Sequence, residues 1–161
     1  MAGYEWRTIY LASSSTGTDD TTGSPGGISM DKRFTVPTNR IWQIQSILAT
    51  AVSAAAVGNR QLQLTIDPGG DTAIFDDTNP YVDVRAGAVQ AASLTYYYQW
   101  FPAASRMTAV ADTDWISMPI PDMILAPLSV IRIFDSANRG TTAAPDDLDI
   151  RLVVSSRGGI R

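Results

Sequence analysis

The feature that most constrains the fold is a pair of strand-like segments within residues 33–67. In the second segment Leu62, Leu64 and Ile66 alternate with Gln61, Gln63 and Thr65. An alternation with period two is what a sheet with one buried face requires. The first segment, residues 41–51, is predicted as a strand with Trp42, Ile44 and Leu48 on one face. The unit therefore predicts β-structure, and it carries no catalytic machinery.

The charged residues support the same fold class. Aspartate supplies fifteen of the sixteen acids, with Glu5 the exception, and arginine supplies eleven of the twelve bases, with Lys32 the exception. Glu and Lys favour helices, whereas Asp suits caps and turns. A chain poor in both and rich in Thr, Val, Ile and Tyr is typical of all-β proteins. At 161 residues it is long enough for one domain with a substantial core.

The order of the segments predicts an all-β, antiparallel sandwich, a jelly roll of about eight strands with an extended N-terminal arm. The predicted strands are residues 4–11, 31–36, 41–51, 60–67, 92–101, 128–135 and 147–155, with short edge pieces at 72–75 and 81–85. Residues 106–117 give a weaker signal, and the proline-containing segment 118–127 is predicted to be extended. We expect residues 1–30 to form an N-terminal strand and flexible arm, and residues 31–161 to form the sandwich domain. The loop-like composition of residues 12–29 fits either an arm ordered against a neighbour or a frayed terminus with a surface loop.

The composition excludes several functional classes. The chain has no histidine and no cysteine, which removes Ser-His-Asp and Cys-His catalysis, zinc sites of the usual kind and disulfides. A net charge of -4 argues against a nucleic-acid partner. Residues 1–6 lack the basic start and apolar core of a signal peptide. The uncharged stretches 41–59 and 86–105 contain Gln and Ser and do not predict membrane helices, so no membrane partner is expected.

Four aspartate clusters are the remaining candidates for chemistry. They are Asp19-Asp20, Asp76-Asp77, Asp112 with Asp114, and Asp146-Asp147 with Asp149. Paired acids could hydrolyse glycosides, but adjacent residues of a strand point to opposite faces, so an Asp-Asp pair does not by itself form the required dyad. Hard oxygen ligands could hold calcium, but no EF-hand spacing is present. Turn chemistry explains these clusters better, because Asp bonds its own backbone in loops. We therefore expect no enzyme activity, no catalytic residues, no metal and no cofactor.

The aromatic strand at residues 92–101 predicts a surface as well as a core. Leu94, Tyr96, Tyr98 and Trp100 fall on one face, and Thr95, Tyr97 and Gln99 fall on the other. Aromatic side chains are then left over on the second face, where they suit a protein interface or a sugar-stacking platform. The candidate interface residues are Tyr4, Trp6, Tyr97, Phe101 and Trp115. Arginine in place of lysine fits bidentate contacts between subunits or codon bias in a GC-rich genome.

Four segments carry a resemblance to a protein family. They are Val36-Pro37-Thr38-Asn39-Arg40-Ile41-Trp42-Gln43-Ile44, Val57–Ile66, Pro119–Leu125 and Asp146–Ile150. Across about residues 33–155 the chain resembles small jelly-roll structural proteins of tailed bacteriophages. These are decoration (cement) proteins on the capsid exterior, or related head and tail accessory proteins.

The resemblance implies a non-enzymatic virion structural protein that binds the outside of the capsid and stabilises the shell. It implies a homo-oligomer, often a homotrimer, bound to the major capsid protein on the virion exterior after synthesis in the host cytoplasm. The resemblance assigns no catalytic role to any residue of this chain, because the family has no shared catalytic residues. The alternative is a head-fibre or tail accessory domain that binds host-surface glycans through Tyr97, Phe101 or Trp115. A glycan hydrolase is a third hypothesis, which requires two carboxyl groups facing each other in a cleft.

Overall fold

A computed structural model describes residues 4–11, 31–53, 60–67, 80–87, 89–102, 110–111, 114–136 and 147–158. Within these ranges the chain forms eleven strands and no helix. The strands are β1 (Glu5–Leu11), β2 (Asp31–Thr35), β3 (Arg40–Val52), β4 (Leu62–Asp67), β5 (Val82–Arg85), β6 (Thr95–Pro102), β7 (Val110–Ala111), β8 (Trp115–Ile120), β9 (Ile124–Leu125), β10 (Val130–Asp135) and β11 (Asp147–Gly158). The all-β prediction is confirmed, although the predicted edge piece at residues 72–75 lies outside the described residues.

Two sheets form the sandwich. The larger has seven strands in the order β1-β11-β3-β6-β8-β7, with β9 paired to the start of β3. The smaller has the order β2-β10-β4-β5. Consecutive strands lie in different sheets from β1 to β2, β2 to β3, β3 to β4, β5 to β6, and on either side of β10. By contrast, β4 and β5 lie in the same sheet, and so do β6 to β9. Among the strands that the structure describes, every pairing is antiparallel except that of β6 with β8, which run in the same direction.

The core fills the space between the sheets. The core residues come from both sheets, and their side chains are almost completely buried. Examples are Ile47, Trp100 and Leu152 from the larger sheet, and Leu64 and Ile131 from the smaller. Alternation in the last strand is as the sequence predicts, since Leu148, Ile150, Leu152 and Val154 are buried while Asp149 and Arg151 are not. Apolar burial of this extent is the main favourable term in folding.

A β-bulge in β3 corrects one prediction. Ser46 pairs with Val153, but Ile44 pairs with the next residue, Val154, so Gln45 has no partner in the ladder. The extra residue reverses the alternation, as bulges do. Before the bulge Trp42 and Ile44 point into the core, and after it the next core-facing residue is Ile47. The prediction that Leu48 shares their face was therefore wrong; Leu48 lies on the opposite face, half-buried.

The two central strands of the smaller sheet, β10 and β4, are buried on both faces. In β4 the alternation predicts one buried face, yet Gln63 and Thr65 are buried together with the apolar residues. Gln63 is satisfied by neighbours, since it donates to the Asp83 carboxylate and accepts from the Arg85 guanidinium. The same holds for β10, where all six residues are buried. The two sheets therefore differ: the smaller buries both faces of its central strands and exposes Asp83 and Arg85 only at its edge strand β5, whereas the larger exposes one face.

The N-terminal segment joins the larger sheet. Strand β1 pairs with β11 along its whole length, from Glu5 opposite Ser156 to Leu11 opposite Ile150. The arm predicted for residues 12–30 lies outside the described residues, and its role stays a prediction. Within the described ranges no helix has the length and hydropathy of a membrane span.

Candidate interface on the larger sheet

The candidate site is the side of the larger sheet that points away from the core, here called the outer face. Cross-strand pairing arranges its side chains in rows. One row runs from Tyr10 on β1 through Arg151, Leu48 and Gln99 to Ser117 on β8. The next row runs through Asp149, Thr50, Tyr97 and Trp115. Because directly opposed side chains on one face touch, each row forms a continuous strip across the sheet.

Tyr97 and Trp115 form a stacked pair at one end of these rows. Their ring centroids are 5.6 Å apart and their planes differ by 24°. The parallel pairing of β6 and β8 sets the two residues directly opposite each other. The indole Nε1 of Trp115 donates a hydrogen bond of 3.1 Å to Ser117 Oγ, which fixes the ring orientation. Both side chains remain about two-fifths exposed, so the pair is a rigid aromatic surface open to solvent.

A shallow groove of about 260 Å³ lies beside the stacked pair. Its lining includes Tyr10, Leu48, Thr50, Tyr97, Trp115, Asp149 and Arg151, with the core-facing Ala49, Tyr98 and Ile150 between them. Apolar rings, a hydroxyl, a carboxylate and a guanidinium therefore converge on one concave surface. Such a mixture is typical of a recognition surface, where aromatic and arginine side chains are enriched.

A second aromatic group lies toward the start of β1. Trp6 is 67% exposed and lies in a row with Ser155, Gln43 and Ile124. Tyr4 precedes the strand, and the Arg157 guanidinium lies over its ring at 5.3 Å. This contact is a cation–π interaction, which orients an exposed aromatic ring without burying it. The outer face thus presents aromatic side chains at both ends.

Strand alternation places four residues of the predicted interface on this face, and Tyr4 immediately precedes β1. Tyr4 and Trp6 lie at one end, Tyr97 and Trp115 lie at the other, and Phe101 is half-buried opposite Pro119. The structure does not bring the five together as one cluster. That they form an interface stays a prediction.

The sequence analysis did not identify three residues that line the groove beside Tyr97 and Trp115, namely Tyr10, Asp149 and Arg151. The alternation of β1 carries a usable signal for Tyr10, because it follows Trp6 by four residues and must share its face. The outward direction of Asp149 and Arg151 was predicted, but their approach to Tyr97 depends on strand order, which the sequence does not show.

Two other polar groups are structural. Gln90 is fully buried and donates from Nε2 to the carbonyls of Ala51 and Leu94 at 3.0 and 2.7 Å, while its Oε1 accepts from the Tyr98 hydroxyl at 3.3 Å. The pKa of the Tyr98 hydroxyl is raised above its ordinary value. Burial is the largest cause, and the charges of Tyr96 and Asp135 add to it. These bonds attach the β5–β6 connection to the end of β3.

The second group surrounds Asp67 on the smaller sheet. Burial raises the pKa of the Asp67 carboxyl above its usual value, and the positive charges of Arg132 and Arg33 oppose that shift. The larger effect is therefore desolvation, which disfavours the charged carboxylate. Across the described ranges no group of three or more acidic side chains is arranged to hold a metal ion. Asp19, Asp20, Asp76, Asp77, Asp112 and Asp146 from the aspartate clusters lie outside those ranges.

Comparison with known proteins identifies no family for this chain. No protein-family model matches the chain. No curated protein matches it. A structure described as Desmodium yellow mottle tymovirus is 12% identical with a TM-score of 0.30, covering 99% of this chain and 89% of that one. A chain of the IBDV viral particle is 11% identical with a TM-score of 0.31, and this chain spans 38% of its length while 95% of this chain is covered. Likenesses this weak support no functional argument.

Proposed function

We propose that this protein is a non-enzymatic virion structural protein that binds the outside of a capsid and stabilises the shell as a decoration protein. The observation that carries the proposal is the outer face of the larger sheet. It leaves Trp6, Tyr10, Tyr97 and Trp115 open to solvent on one side of the sandwich, with Arg151 among them. Large exposed aromatics gathered on one face mark an interaction surface rather than an ordinary protein exterior.

The proposed binding partner is inferred from the resemblance of the sequence to phage decoration proteins. On this account the outer face contacts the major capsid protein or a neighbouring copy of the chain, in a homo-oligomer such as a trimer. A specific interface of standard size buries about 1,600 Å² in total. Binding to the assembled shell stabilises that state by mass action, and the effect repeats at every equivalent site. The mechanism needs complementary surface and no chemistry.

Capsids lacking this protein provide the direct test. The purified chain is added to them, binding is measured by co-sedimentation, and DNA release is followed during heating. We expect saturable binding and a higher temperature of DNA release. Saturable binding without any gain in thermal stability would contradict the stabilising role, and an absence of binding would contradict the capsid partner.

A second candidate function is glycan binding, and one observation favours it. Beside the stacked rings of Tyr97 and Trp115, the groove contains Asp149 and Arg151. Stacking of aromatic rings on the apolar face of a sugar, with polar groups at its edge, is a common mode of carbohydrate recognition. A glycan array separates the two functions: a defined hit abolished by Trp115→Ala supports this candidate, and an array without hits contradicts it.

A further inference from the structure

Residues 4–10, which precede and form most of strand β1, are attached to the sandwich with almost no side-chain burial. Among residues 4–10 only Ile9 is partly buried, where it packs against the core, and every other side chain is exposed. The neighbouring strand β11 is different, since it buries Leu148, Ile150, Leu152 and Val154. Side-chain burial is the main source of packing free energy, so residues 4–10 contribute little to the core and gain little from it.

Backbone pairing is the principal attachment of β1. Its seven residues pair antiparallel with Ile150–Ser156 of β11. Two exposed side-chain contacts add to this: Glu5 lies 3.8 Å from the Arg40 guanidinium, and Tyr4 lies under Arg157. Exposed ion pairs contribute little and are screened by salt. Segments held in this way are the first to open locally while the rest of a domain stays folded.

The connection after β1 is long enough to reach another molecule. Nineteen residues, 12–30, separate Leu11 from Asp31 at the start of β2. A chain of that length spans at most about 65 Å. A domain of this size has a radius of gyration of about 15 Å. The connection can therefore place β1 on the β11 strand of an adjacent copy without any change in either sandwich.

We propose that β1 is an exchangeable strand, which leaves its own β11 and pairs with the β11 of a second copy of this chain. The exchanged form makes the same backbone bonds, the same Ile9 contact and the same surface contacts as the closed form. The balance is then set by concentration, because the tethered strand competes at an effective concentration in the millimolar range. Closed chains dominate in dilute solution, and exchange becomes substantial where copies are crowded together. This inference stands independently of the virion role.

Cysteine cross-linking tests the exchange cleanly, because the natural chain has no cysteine. Thr8 and Val153 are paired between β1 and β11. Directly paired residues on adjacent antiparallel strands have Cα separations that a disulfide accepts. Single variants Thr8→Cys and Val153→Cys are mixed at about 1 mM, within the expected range of effective concentration, and at about 10 µM, well below it. They are then oxidised and analysed on non-reducing gels.

Leu48→Cys mixed with Gln99→Cys is the matched control. These residues are paired between β3 and β6, two central strands of the larger sheet, where strand exchange would require unfolding of the domain. The double variant Thr8→Cys/Val153→Cys shows that the pair closes within one chain, and Tyr10→Cys/Arg151→Cys is a second pair for the same purpose.

We expect a mixed disulfide dimer from the Thr8 and Val153 variants at about 1 mM, at least tenfold less at about 10 µM, and none from the control mixture. Closure of the double variant without any mixed dimer overturns the proposal. Equal dimer yields from test and control mixtures also overturn it, because they indicate random collision. Failure of both double variants to close overturns the pairing itself.

Discussion

Tyr97 and Trp115 lie face to face on neighbouring parallel strands, with their ring centroids 5.6 Å apart. The relationship depends on the parallel pairing of β6 and β8, which are otherwise flanked by antiparallel neighbours. It turns two ordinary strand aromatics into one rigid, solvent-open surface. Rigid aromatic surfaces lose little conformational entropy on binding, which is why Tyr and Trp are common among residues that dominate interface energetics.

The first prediction concerns that pair. Trp115→Ala, alone or with Tyr97→Ala, should weaken binding to capsids that lack the protein by roughly tenfold or more, about 1.4 kcal/mol or greater, as expected for an interface residue of high energetic weight. Co-sedimentation over a range of protein concentrations measures the loss.

Tyr81→Ala is the matched control for the aromatic truncation. Tyr81 is 70% exposed but precedes β5 on the smaller sheet, away from the outer face. We expect it to bind as the natural chain does. Equal losses for Tyr81→Ala and Trp115→Ala would show that the outer face has no special role.

The second prediction concerns the bulge at Gln45. Deleting Gln45 should leave a folded protein. Without this extra residue, inward- and outward-facing side chains alternate along β3 without a break, and the buried residues on both sides of the bulge keep their faces. Deleting Leu48 should unfold the domain, because residues 49–52 would then reverse their faces, turning the buried Ala49 and Ala51 to solvent and Thr50 toward the core. Circular dichroism and thermal melting compare the two deletions. Loss of the cooperative transition in the Gln45 deletion would show that the bulge itself is essential.

The bulge also shows where prediction from sequence reached its limit. The alternation in β4 and β11 identified their core faces correctly, because no irregularity interrupts them. In β3 the same reasoning gave Leu48 the wrong face, since nothing in the local sequence marks Gln45 as an extra residue. The direction of β6 relative to β8, and hence the Tyr97–Trp115 stack and the groove, depends on long-range topology. Local periodicity indicates which face a side chain occupies, but it does not indicate its neighbours.

The third prediction concerns the buried amide of Gln90. Gln90→Ala should lower the free energy of unfolding by about 1–3 kcal/mol, because it removes hydrogen bonds to the Ala51 and Leu94 carbonyls and leaves the Tyr98 hydroxyl without this partner. Urea denaturation gives the value. Gln99→Ala, at a half-buried position on the outer face, is the control and should change stability by less than about 0.5 kcal/mol. Similar losses in both variants would contradict a specific role for the Gln90 network.

The fourth prediction concerns pH. Burial raises the folded-state pKa of Asp67 above its unfolded value of 3.8, so the protonated form is favoured by folding. The associated stability is fully present below pH 3.8 and is lost as the pH rises through the folded pKa. Asp67→Asn, which stays neutral, should therefore melt at a higher temperature than the natural chain at pH 7 and at nearly the same temperature near pH 3.

Asp147→Asn controls for the loss of one negative charge, because Asp147 is exposed at the start of β11. It should not reproduce the gain in melting temperature at pH 7. If Asp67→Asn instead melted at a lower temperature there, attraction to Arg132 and Arg33 would outweigh desolvation, contrary to the account given for this group.

Copy number per virion is the measurement that tests the central claim most directly. Quantitative mass spectrometry of purified particles gives the molar ratio of this chain to the major capsid protein. A shell component repeats at equivalent lattice sites, so the account predicts on the order of a hundred or more copies per particle, consistent with symmetric assembly. A dozen copies or fewer, or none, would contradict a role in decorating the shell.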